Sequence, residues 1–478
     1  MSGPDRNRNK YLFKNAVIFA IGNIATKFIN LFLVPLYTGY LVASEYGTAD
    51  LLYTLCNFLV PLFTLNISEA VLMFSLDKNA NEKKITKIAT MMLMPVVVLG
   101  LISIPILKSI EGFDNYAVYF YAHLVVSAVS QLYLVTLKGQ EKLKEFTIGN
   151  TLYTAFILVF SLIFLVWLKM GIEGYFLAYI VSGILVAIYA IWTSKTLSNL
   201  RGAKFDGDLF RKMTRYSVVL IPTTFMWWIM NFLDRAMIMG MMDASASGIY
   251  AVSYKIPTIL SSISSIFMQA WLFSAVKNDG TKDNERYTNK VFKMLTVVLS
   301  GTSIVLLIFI KQIYSVYVAP EYYVAWEYVP VLMVGHIFLT LSTFMSTSYN
   351  VHKDSKGFLF SATVGAIANL VLNAVLIPLI GMQGAAIATA ISYIAVFFYR
   401  LIDTRKYVRI YLDLKFVSLI AITSICAFSV FIDVSIGWIL QALSLAVYML
   451  MARDDMASLA APIGRLTKKI FGKRVGGE

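Results

Sequence analysis

The chain has 478 residues, of which 58% are hydrophobic and only 14% are charged, whereas soluble domains average roughly 45–50% apolar and about 25% charged residues. This balance excludes an ordinary soluble fold and indicates a protein that works inside a bilayer. The formal net charge of +14 at pH 7 fits either nucleic-acid binding or the orientation of a membrane protein, so its distribution along the chain decides its meaning.

Apolar stretches follow one another along the chain, each near the length of about 20 residues that crosses a hydrocarbon core. The connections between them are short, and none is long enough to hold a soluble domain. The sequence therefore predicts an all-α integral membrane protein with about 14 transmembrane helices. The spans are expected at 14–38, 48–76, 86–107, 117–137, 146–168, 175–194, 216–241, 248–276, 292–312, 327–349, 358–380, 384–402, 414–432 and 435–451.

Lysine and arginine are divided very unequally between the two faces that these spans define. Of the 41 Lys and Arg residues, 35 fall in the termini and in alternate loops, three in the opposite loops and three inside spans. Cytoplasmic loops are enriched in Lys and Arg, so both termini and the basic loops are expected in the cytoplasm. This pattern explains the net charge, and no nucleic-acid partner is expected.

An internal repeat relates the first six spans to spans seven to twelve. Six spans per half give both halves the same orientation, and such parallel repeats place the substrate site between them. The matched pairs are Gly171 with Gly381, Gly174 with Gly384, Ala178 with Ala388, Ser182 with Ser392 and, at a second offset, Gly47 with Gly248. The predicted domains are two parallel six-helix lobes at 1–194 and 216–402, a cytoplasmic linker at 195–215, two C-terminal helices at 403–451 and a basic amphipathic cytoplasmic tail at 452–478.

The most informative positions are polar residues inside the spans, because an ionisable group at mid-membrane costs on the order of 2.5–3.5 kcal/mol unless it faces a polar cavity or a partner. Lys27 lies near the middle of span one, and Asn23 and Asn30 share its helix face through i, i+4, i+7 spacing. This stripe predicts the wall of a water-filled cavity. Packing of Lys27 against a structural partner such as Glu69 is the alternative.

A second polar set lies in spans seven and eight. Span seven carries Asn231, Asp234 and Arg235, and span eight carries Lys255. Because the repeat relates these spans to spans one and two, the two polar sets are expected to meet across the pseudo-axis. For Arg235 and Lys255, snorkelling to a membrane surface is the alternative. The predicted substrate site is a cationic cavity lined by Lys27, Arg235, Lys255, Asn23, Asn30 and Asn231.

The acidic residues Asp50, Glu69 and Asp234 lie inside predicted spans. Intramembrane carboxylates carry protons or cations in many transporters, so these residues are candidates for ion coupling. A salt bridge is an equally good interpretation of each.

The expected ligand of a cationic cavity is an anion. Lys and Arg donate charge-assisted hydrogen bonds to phosphate oxygens, so phosphate or pyrophosphate is the expected group. No cytoplasmic segment resembles a P-loop or a G-x-G-x-x-G loop. The two cysteines, Cys56 and Cys426, and the three histidines show no metal-ligand spacing. The sequence therefore predicts a transporter, not an enzyme, with no cofactor and no metal.

Aromatic residues gather before span ten. The cluster is typical of the aromatic belt at a membrane interface, and stacking on sugar rings is the alternative. Its members are Tyr314, Tyr317, Tyr322, Tyr323 and Trp326.

Four segments, in their order and spacing, resemble the polysaccharide transporter branch of the MOP flippase superfamily. Within that branch the resemblance is to Wzx-type flippases of O-antigen and capsule repeat units, and it runs from about residue 10 to residue 450. The segments are ASEYGTADLLYTL after span one, FLDRAMIMGMMDASASGIYAVSYKIP across spans seven and eight, APEYYVAWEYVPVLMVG before span ten and LIGMQGAAIATAISYI entering span twelve.

The resemblance implies a multi-pass transporter of the bacterial inner membrane with both termini in the cytoplasm. It implies alternating-access movement of a polyprenyl-diphosphate-linked oligosaccharide from the cytoplasmic to the periplasmic leaflet, with Lys27, Arg235 and Lys255 as cavity cations. The expected partners are this lipid-linked diphosphate and membrane lipids. Polysaccharide polymerase and chain-length proteins are further candidate partners.

Three alternatives stay open. MATE-like export of amphipathic cations fits less well, since those relatives commonly carry an acidic residue in span one, where this chain has Lys27. A lipid II flippase shares the number of spans and a cationic cavity. A membrane scaffold for polysaccharide assembly without transport is favoured if Lys27, Arg235 and Lys255 all contact partner carboxylates.

Overall fold

The structure, a computed structural model, describes residue 22 and residues 25–77, 80–281 and 283–471, with the backbone alone described after Met456. Across these residues the regular secondary structure is entirely helical, without a β-strand. Helices satisfy their backbone hydrogen bonds internally, as a chain in hydrocarbon requires. The predicted all-α integral membrane class is therefore confirmed.

Fewer described helices than predicted have the length and hydropathy of a membrane span. Eight helices of the described residues are long and apolar enough to cross a membrane, or ten if each of two bent pairs counts as one span. The predicted count of fourteen is not confirmed. Counted by length and hydropathy, the predicted spans 358–380 and 384–402 fall in one segment, Ser355–Lys406, although its helix is interrupted at Ile380 and Gly381. In addition, Leu414–Ser429 is apolar but has only 16 residues.

Packing divides the chain into two units, and the first comprises Met1–Val252 together with Tyr317–Val324. Its described helices are α1 (25–40), α2 (Ala43–Phe63), α3 (Ile67–Ser75), α4 (Glu82–Met91), α5 (Met94–Lys108), α6 (Ala117–Gly139), α7 (Leu143–Ser161), α8 (Gly171–Thr193), α9 (Thr196–Leu200), α10 (Gly207–Met241) and α11 (Ala244–Ser253). α6 packs against α2, α3, α5, α7 and α8, and α10 packs against α2 and α3.

The segment Tyr317–Val324 joins the first unit through hydrogen bonds to the corner between α1 and α2. The Tyr322 hydroxyl donates to the carbonyl oxygen of Leu41 at 2.8 Å, and the Glu321 carboxylate accepts from the Ala43 amide at 2.9 Å. That amide is one of the backbone donors that the first turn of a helix leaves without an intrahelical acceptor. Glu321 therefore caps α2 from a segment far away in sequence.

The second unit comprises Ser253–Val316 and Ala325–Glu478. Its helices are α12 (Pro257–Asn278), α13 (Asn284–Ile308), α14 (Ile310–Tyr317), α15 (Val329–Val351), α16 (Ser355–Asp403), α17 (Leu414–Ser429) and α18 (Val434–Phe471). α15 packs against α12, α13, α16 and α17, and α13 packs against α17 and α18. The predicted lobes, linker, C-terminal helices and tail stay predictions, and the side chains that would make the tail amphipathic lie outside the described residues.

Matched residues of the repeat adopt matched local structures. Gly171 and Gly381 have φ angles of 56° and 60°, a left-handed backbone that glycine adopts without the steric cost of a β-carbon. Each precedes a buried serine, Ser182 or Ser392, whose hydroxyl donates to the carbonyl oxygen four residues earlier at 2.6 Å. The repeat found in the sequence is therefore supported by the backbone of each half.

The other matched pair, Gly47 and Gly248, lies where the starts of α2 and α11 cross in the first unit. A β-carbon added at Gly47 would stand 2.0 Å from the carbonyl oxygen of Ala244, and one at Gly248 would stand 2.0 Å from that of Ala43. Backbone oxygens cannot move aside as the end of a flexible side chain does. Only glycine therefore permits this crossing, which brings two backbones together as small residues do in membrane proteins.

Aspartate side chains cap three helices that begin in the predicted cytoplasmic loops. Asp206, Asp354 and Asp413 each accept a hydrogen bond from the backbone amide three residues later, at the starts of α10, α16 and α17. The Gly357 amide, together with the Lys406 ammonium, lowers the pKa of Asp354 to about 2. These caps satisfy amides that otherwise lack acceptors.

The aromatic residues before span ten do not form one interfacial belt. Tyr314 and Tyr322 have no exposed surface, so the belt interpretation is wrong for these two residues. Their hydroxyls instead donate to backbone carbonyls inside the units, that of Tyr314 to Ser253 at 3.5 Å. Tyrosine is buried in this way where its polar end finds an acceptor.

Arg400 near the end of α16 is fully buried, although the sequence count of charges places it, at the end of the predicted span 384–402, with the basic cytoplasmic loop at 400–415. Its guanidinium donates to the Ser361 hydroxyl at 3.0 Å and to the Ser342 carbonyl at 2.9 Å. A buried arginine is tolerated where its donors are satisfied. Arg400 therefore acts as an internal tie between α15 and the two ends of α16.

Candidate functional site

The main concentration of charge inside the first unit lies where α2 and α10 pack together. Both helices are bent: α2 meets α3 at 58°, and the parts Gly207–Met230 and Phe232–Met241 of α10 meet at 46°. At the first bend Leu65 and Asn66 have left-handed backbones, and the Asn66 amide donates to the Pro61 carbonyl at 2.6 Å. Interrupted helices line polar sites in membrane proteins, so this interface is a candidate site.

Arg235 of α10 and Asp50 of α2 form a buried ion pair at this interface. The Nη1 atom of Arg235 lies 2.6 Å from Oδ2 of Asp50 and 3.1 Å from Oγ1 of Thr54, and the two charged side chains are 15% and 6% exposed. Asp50 and Thr54 share a helix face because they are one turn apart. Since a buried charge is costly unless it is paired, each member of the pair stabilises the charge of the other.

Aromatic rings pack beside the ion pair. Trp228 stacks between Phe58 and Phe232, with ring centroids 3.6 and 4.2 Å away, and its indole donates to the carbonyl oxygen of Thr54 at 3.1 Å. These rings exclude water from one side of the interface. The lower local dielectric strengthens the electrostatic attraction between the charges.

Asp234 is a second buried carboxylate, adjacent to Arg235 on α10. It is 1% exposed, and the Tyr250 hydroxyl donates to its Oδ2 atom at 3.5 Å. The Ser247 hydroxyl donates to the backbone carbonyl of Arg235 at 3.2 Å. α11 thus surrounds the charges of α10 with hydroxyl groups.

Lys27 and Asn30 of α1 are both exposed. Glu69, the alternative partner of Lys27, is exposed as well, and within the described ranges no ion pair joins the two side chains. Asn23 and the side chain of Asn231 lie outside the described residues. An exposed ammonium on a membrane span needs a polar cavity, a headgroup or a ligand beside it, so Lys27 stays a candidate.

Lys255 is half-buried in the second unit, between α11 and α12. Of the predicted site residues, the structure thus brings Arg235 together with Asp50, one of the candidates for ion coupling. The cavity that Lys255 was expected to share with Lys27 and Arg235 stays a prediction.

Uncharged polar side chains run through the interior of the second unit. The Tyr254 hydroxyl donates to Oγ1 of Thr389 at 3.2 Å, and the Asn369 amide donates to the same atom at 3.4 Å. The Asn373 amide donates to Oδ1 of Asn369 at 3.1 Å. Buried polar groups in membrane helices mark candidate functional positions. Their signal in sequence is weak, because Asn and Thr also occur at ordinary helix contacts.

A buried histidine lies between two tyrosines in the first unit. The ring of His123 lies 5.8 Å from that of Tyr53 and 5.5 Å from that of Tyr179. His123 is 1% exposed, and its Nδ1 atom lies 3.3 Å from the Ser127 hydroxyl. The cluster joins α2, α6 and α8.

The second unit repeats this arrangement around His336. Its ring lies 5.7 Å from that of Tyr254 and 5.6 Å from that of Tyr393. Tyr254 matches Tyr53 at the same sequence offset that relates the two glycines of the α2–α11 crossing. The two histidines and the second tyrosines do not share this offset, so the sequence register alone relates only Tyr53 and Tyr254.

Arg235 is a group inside the first unit that can recognise an anion. Arginine presents a planar fork of N–H donors that matches the oxygens of a phosphate group. Asp50 and Thr54 both engage the Nη1 atom, so a phosphate that displaces Asp50 meets a donor already positioned. Among the described residues no group of three or more His, Cys, Asp or Glu side chains is arranged to hold a metal ion.

The fold is similar to those of two solved membrane proteins. It is similar to the lipid II flippase MurJ in an inward closed conformation, with a TM-score of 0.64 and 15% identity over 92% of this chain and 99% of that chain. It is also similar to an inward-facing multidrug resistance MATE family transporter of the MOP superfamily, with a TM-score of 0.62 and 12% identity over 80% of this chain and 93% of that one. The chain thus has the multi-helix membrane fold that these two proteins share.

Sequence comparison gives the family. The chain belongs to the polysaccharide biosynthesis protein family, whose model matches residues 12–273, more than half of the 478 residues. A relative is the probable low-salt glycan biosynthesis flippase Agl15 of Haloferax volcanii, 24% identical over 317 residues. The match covers 63% of this chain and 64% of that relative, somewhat less than two thirds of its length. The predicted resemblance to polysaccharide transporters of the MOP superfamily is confirmed.

Proposed function

We propose that the protein is a flippase that moves a polyprenyl-diphosphate-linked oligosaccharide from the cytoplasmic to the outer leaflet by alternating access. Membership of the polysaccharide biosynthesis family supports this function, as do flippases among the similar proteins. The observation that carries it is the buried Arg235–Asp50 ion pair between two bent helices. The similar proteins are transporters and flippases, so no chemical change of the glycan is part of the proposal.

The main barrier to spontaneous flipping is the transfer of hydrated sugars and a charged diphosphate through hydrocarbon. A protein lowers this barrier when it offers polar groups and positive charges along a path while the lipid tail stays in the bilayer. Arg235 supplies such a charge inside a span, and Lys27 supplies an exposed ammonium on α1.

In the proposed cycle the diphosphate meets Lys27 first, because that ammonium is exposed, and then binds Arg235. Asp50 is the resting partner that keeps Arg235 paired when no substrate is bound. Binding exchanges one charge-assisted hydrogen bond for another, so the arginine is never left buried without a partner. Alternating access then presents the bound group to the opposite leaflet.

The test is transbilayer movement of a radiolabelled polyprenyl-diphosphate oligosaccharide in proteoliposomes, measured by its accessibility to an impermeant glycosidase. The double variant Arg235→Gln/Asp50→Asn removes both charges and leaves neither unpaired, so it should fold but move the lipid about tenfold more slowly or worse. The matched control Lys84→Gln/Asp206→Asn removes an ion pair of 2.8 Å at the starts of α4 and α10 and should keep the wild-type rate. Wild-type movement by the first double variant would refute the proposal.

The same vesicles extend the test to the other predicted cations and to the alternatives. Lys27→Gln and Lys255→Gln should each slow movement of the lipid if these residues contact the diphosphate.

A lipid II probe distinguishes that substrate from a lipid-linked oligosaccharide. Export of amphipathic cations predicts drug resistance in cells that produce the protein, whereas a scaffold predicts no movement of lipid even by the wild type. The proposal includes localisation in the bacterial inner membrane with both termini in the cytoplasm. The accessibility of single cysteines placed in the loops tests this orientation.

A further inference from the structure

Thr54 of α2 contacts α10 on both sides of the bend in that helix. The two parts of α10, Gly207–Met230 and Phe232–Met241, meet at 46°. From the first part, the Trp228 indole donates to the backbone carbonyl oxygen of Thr54 at 3.1 Å. From the second part, the Nη1 atom of Arg235 donates to the Thr54 hydroxyl at 3.1 Å. A single residue of α2 therefore anchors both parts of α10.

The hydroxyl of Thr54 makes a different contact from other threonine hydroxyls of the first unit. Serine and threonine inside a helix often donate to a carbonyl oxygen three or four residues earlier. Thr64 and Thr136 do so, to Val60 at 2.8 Å and to Leu132 at 2.9 Å. The Thr54 hydroxyl instead accepts a hydrogen bond from a charged donor on another helix. Charge-assisted hydrogen bonds are stronger than neutral ones, so this contact helps to fix the position of the guanidinium.

Aromatic stacking keeps Trp228 beside Thr54. The indole lies between Phe58, which is one turn after Thr54 on α2, and Phe232 of the second part of α10. An aromatic ring packed on both faces has little freedom to turn, and a tryptophan N–H usually finds an acceptor when the ring is packed inside a protein. The stack therefore holds the indole N–H against the Thr54 carbonyl.

The internal repeat does not reproduce this anchor. At the offset that relates the two glycines of the α2–α11 crossing, Tyr53 matches Tyr254, but Thr54 falls on Lys255. Residues that serve helix packing recur in both halves, because each half must bring similar helices together. A polar residue that changes type at a matched position therefore points to a role in the site of the first unit.

Asp50 and Thr54 hold Arg235 in different ways. Both contact the Nη1 atom, which carries two N–H donors. The Asp50 carboxylate is an anion and competes with a phosphate group for the arginine, whereas the Thr54 hydroxyl is neutral. A diphosphate can therefore replace Asp50 while the hydrogen bond to Thr54 is kept, so that the guanidinium does not turn away during the exchange.

We propose that Thr54 is a positioning residue, which holds the guanidinium of Arg235 in place while a diphosphate replaces Asp50. Trp228 acts through Thr54, because it anchors the backbone carbonyl of the same residue. The inference rests on the proposed function, since it concerns the arginine that binds the diphosphate in that proposal. It adds the residues that orient this arginine.

The test measures the affinity of the purified full-length protein for a short-chain polyprenyl diphosphate. Thr54→Val removes the hydroxyl but keeps the shape and the backbone carbonyl, so it should bind the diphosphate about tenfold more weakly, as the loss of one charge-assisted hydrogen bond allows. Thr54→Ala gives a second variant without the hydroxyl, and Thr54→Ser keeps it and should restore most of the affinity. Trp228→Phe keeps an aromatic ring in the stack but lacks the N–H donor, and should lose less affinity than Thr54→Val.

A double-mutant cycle separates positioning from a merely structural role. In the double variant Arg235→Gln/Asp50→Asn, the further changes Thr54→Val and Trp228→Phe should leave the remaining affinity unchanged, because both residues act through Arg235. The matched control is Thr136→Val, which removes a buried hydroxyl bonded within its own helix and should bind the diphosphate as the wild type does. Thermal melting shows that each variant is folded.

Unchanged affinity in Thr54→Val and Thr54→Ala would overturn the inference. So would a loss of affinity that persists in the double variant, or a Thr54→Ser variant as weak as Thr54→Val. Each of these outcomes leaves the proposed function standing, provided that the wild type binds the diphosphate. A wild type that binds no diphosphate would refute the proposed function and the inference together.

Discussion

The two units share a plan of packing and differ in where charge is buried. Each places a histidine, His123 or His336, between two tyrosines. The first unit, however, buries the Arg235–Asp50 ion pair with Asp234 beside it. The polar chain that includes Tyr254 in the second unit consists of hydroxyl and amide groups.

This difference shows that fold and function are encoded by different residues. Glycines, small residues and aromatic contacts recur at matched positions because each half must solve the same packing problem. Buried charges are costly and do not follow from packing. The buried ion pair at the α2–α10 interface therefore points to a specific role, which the following predictions test.

The largest loss of stability is expected when one member of the Arg235–Asp50 ion pair is removed. Arg235→Ala removes the cation that pairs with the buried Asp50 carboxylate, so the free energy of unfolding should fall by about 3–5 kcal/mol. Thr389→Ala in the uncharged network of the second unit should cost only about 1 kcal/mol, as expected for a neutral hydrogen bond. Thermal unfolding in detergent measures both, and similar losses for the two variants would remove the distinction between the units.

The next largest effect concerns the crossing of α2 and α11. Gly47→Leu forces a side chain into the backbone of Ala244, 2.0 Å from the new β-carbon, and should destabilise the protein by about 1–3 kcal/mol or more. Gly39→Leu is the matched control, since a β-carbon there meets nothing within 4 Å. Equal yields of folded protein for the two variants would show that the crossing is looser than described.

A smaller effect is expected at the paired histidines. His123→Phe and His336→Phe keep an aromatic ring between the tyrosines and lose one hydrogen bond each, so each should cost about 1 kcal/mol. If both clusters serve packing alone, transport per folded molecule should be unchanged in the two variants. A transport defect in one variant and not the other would add that histidine to the functional residues.

The smallest effect concerns the cap of α16. Asp354→Ala should cost about 1 kcal/mol at neutral pH. Because the folded-state pKa of Asp354 is lowered to about 2, its ionised form stabilises the folded protein above pH about 4, and this contribution disappears as the pH falls through the folded-state value. The gap in melting temperature between wild type and Asp354→Ala should therefore narrow on acidification. Asp354→Asn keeps a capping oxygen and should lie between them, whereas a gap independent of pH would contradict the assignment.

Much of the fold could be predicted from the sequence, because long apolar runs leave few alternatives to membrane helices. Where helices break or merge was less predictable. The break at Ile380 and Gly381 lies between the predicted spans 358–380 and 384–402, whereas the bend of 58° between α2 and α3 falls inside the predicted span 48–76. The capping of α2 by Glu321 could not be predicted from the sequence either, since it joins residues far apart in the chain.

The candidate site could be predicted only in part. Arg235 and Asp50 stand out because charges are rare inside spans, and the shared face of Asp50 and Thr54 follows from helix geometry. That Arg235 pairs with Asp50 depends on how α10 packs against α2, which no local pattern contains. The burial of Arg400 was not predicted, because this residue lies at the edge of an apolar run, where sequence alone favours a cytoplasmic loop.

The central claim, that a diphosphate takes the place of Asp50 on Arg235, is tested most directly by binding. The measurement is the affinity of the purified protein for a short-chain polyprenyl diphosphate, with the polyprenyl monophosphate for comparison. Asp50→Asn should bind the diphosphate more tightly than the wild type because the competing carboxylate is gone, and Arg235→Gln should bind about tenfold more weakly or worse. Wild-type affinity in both variants would contradict the claim.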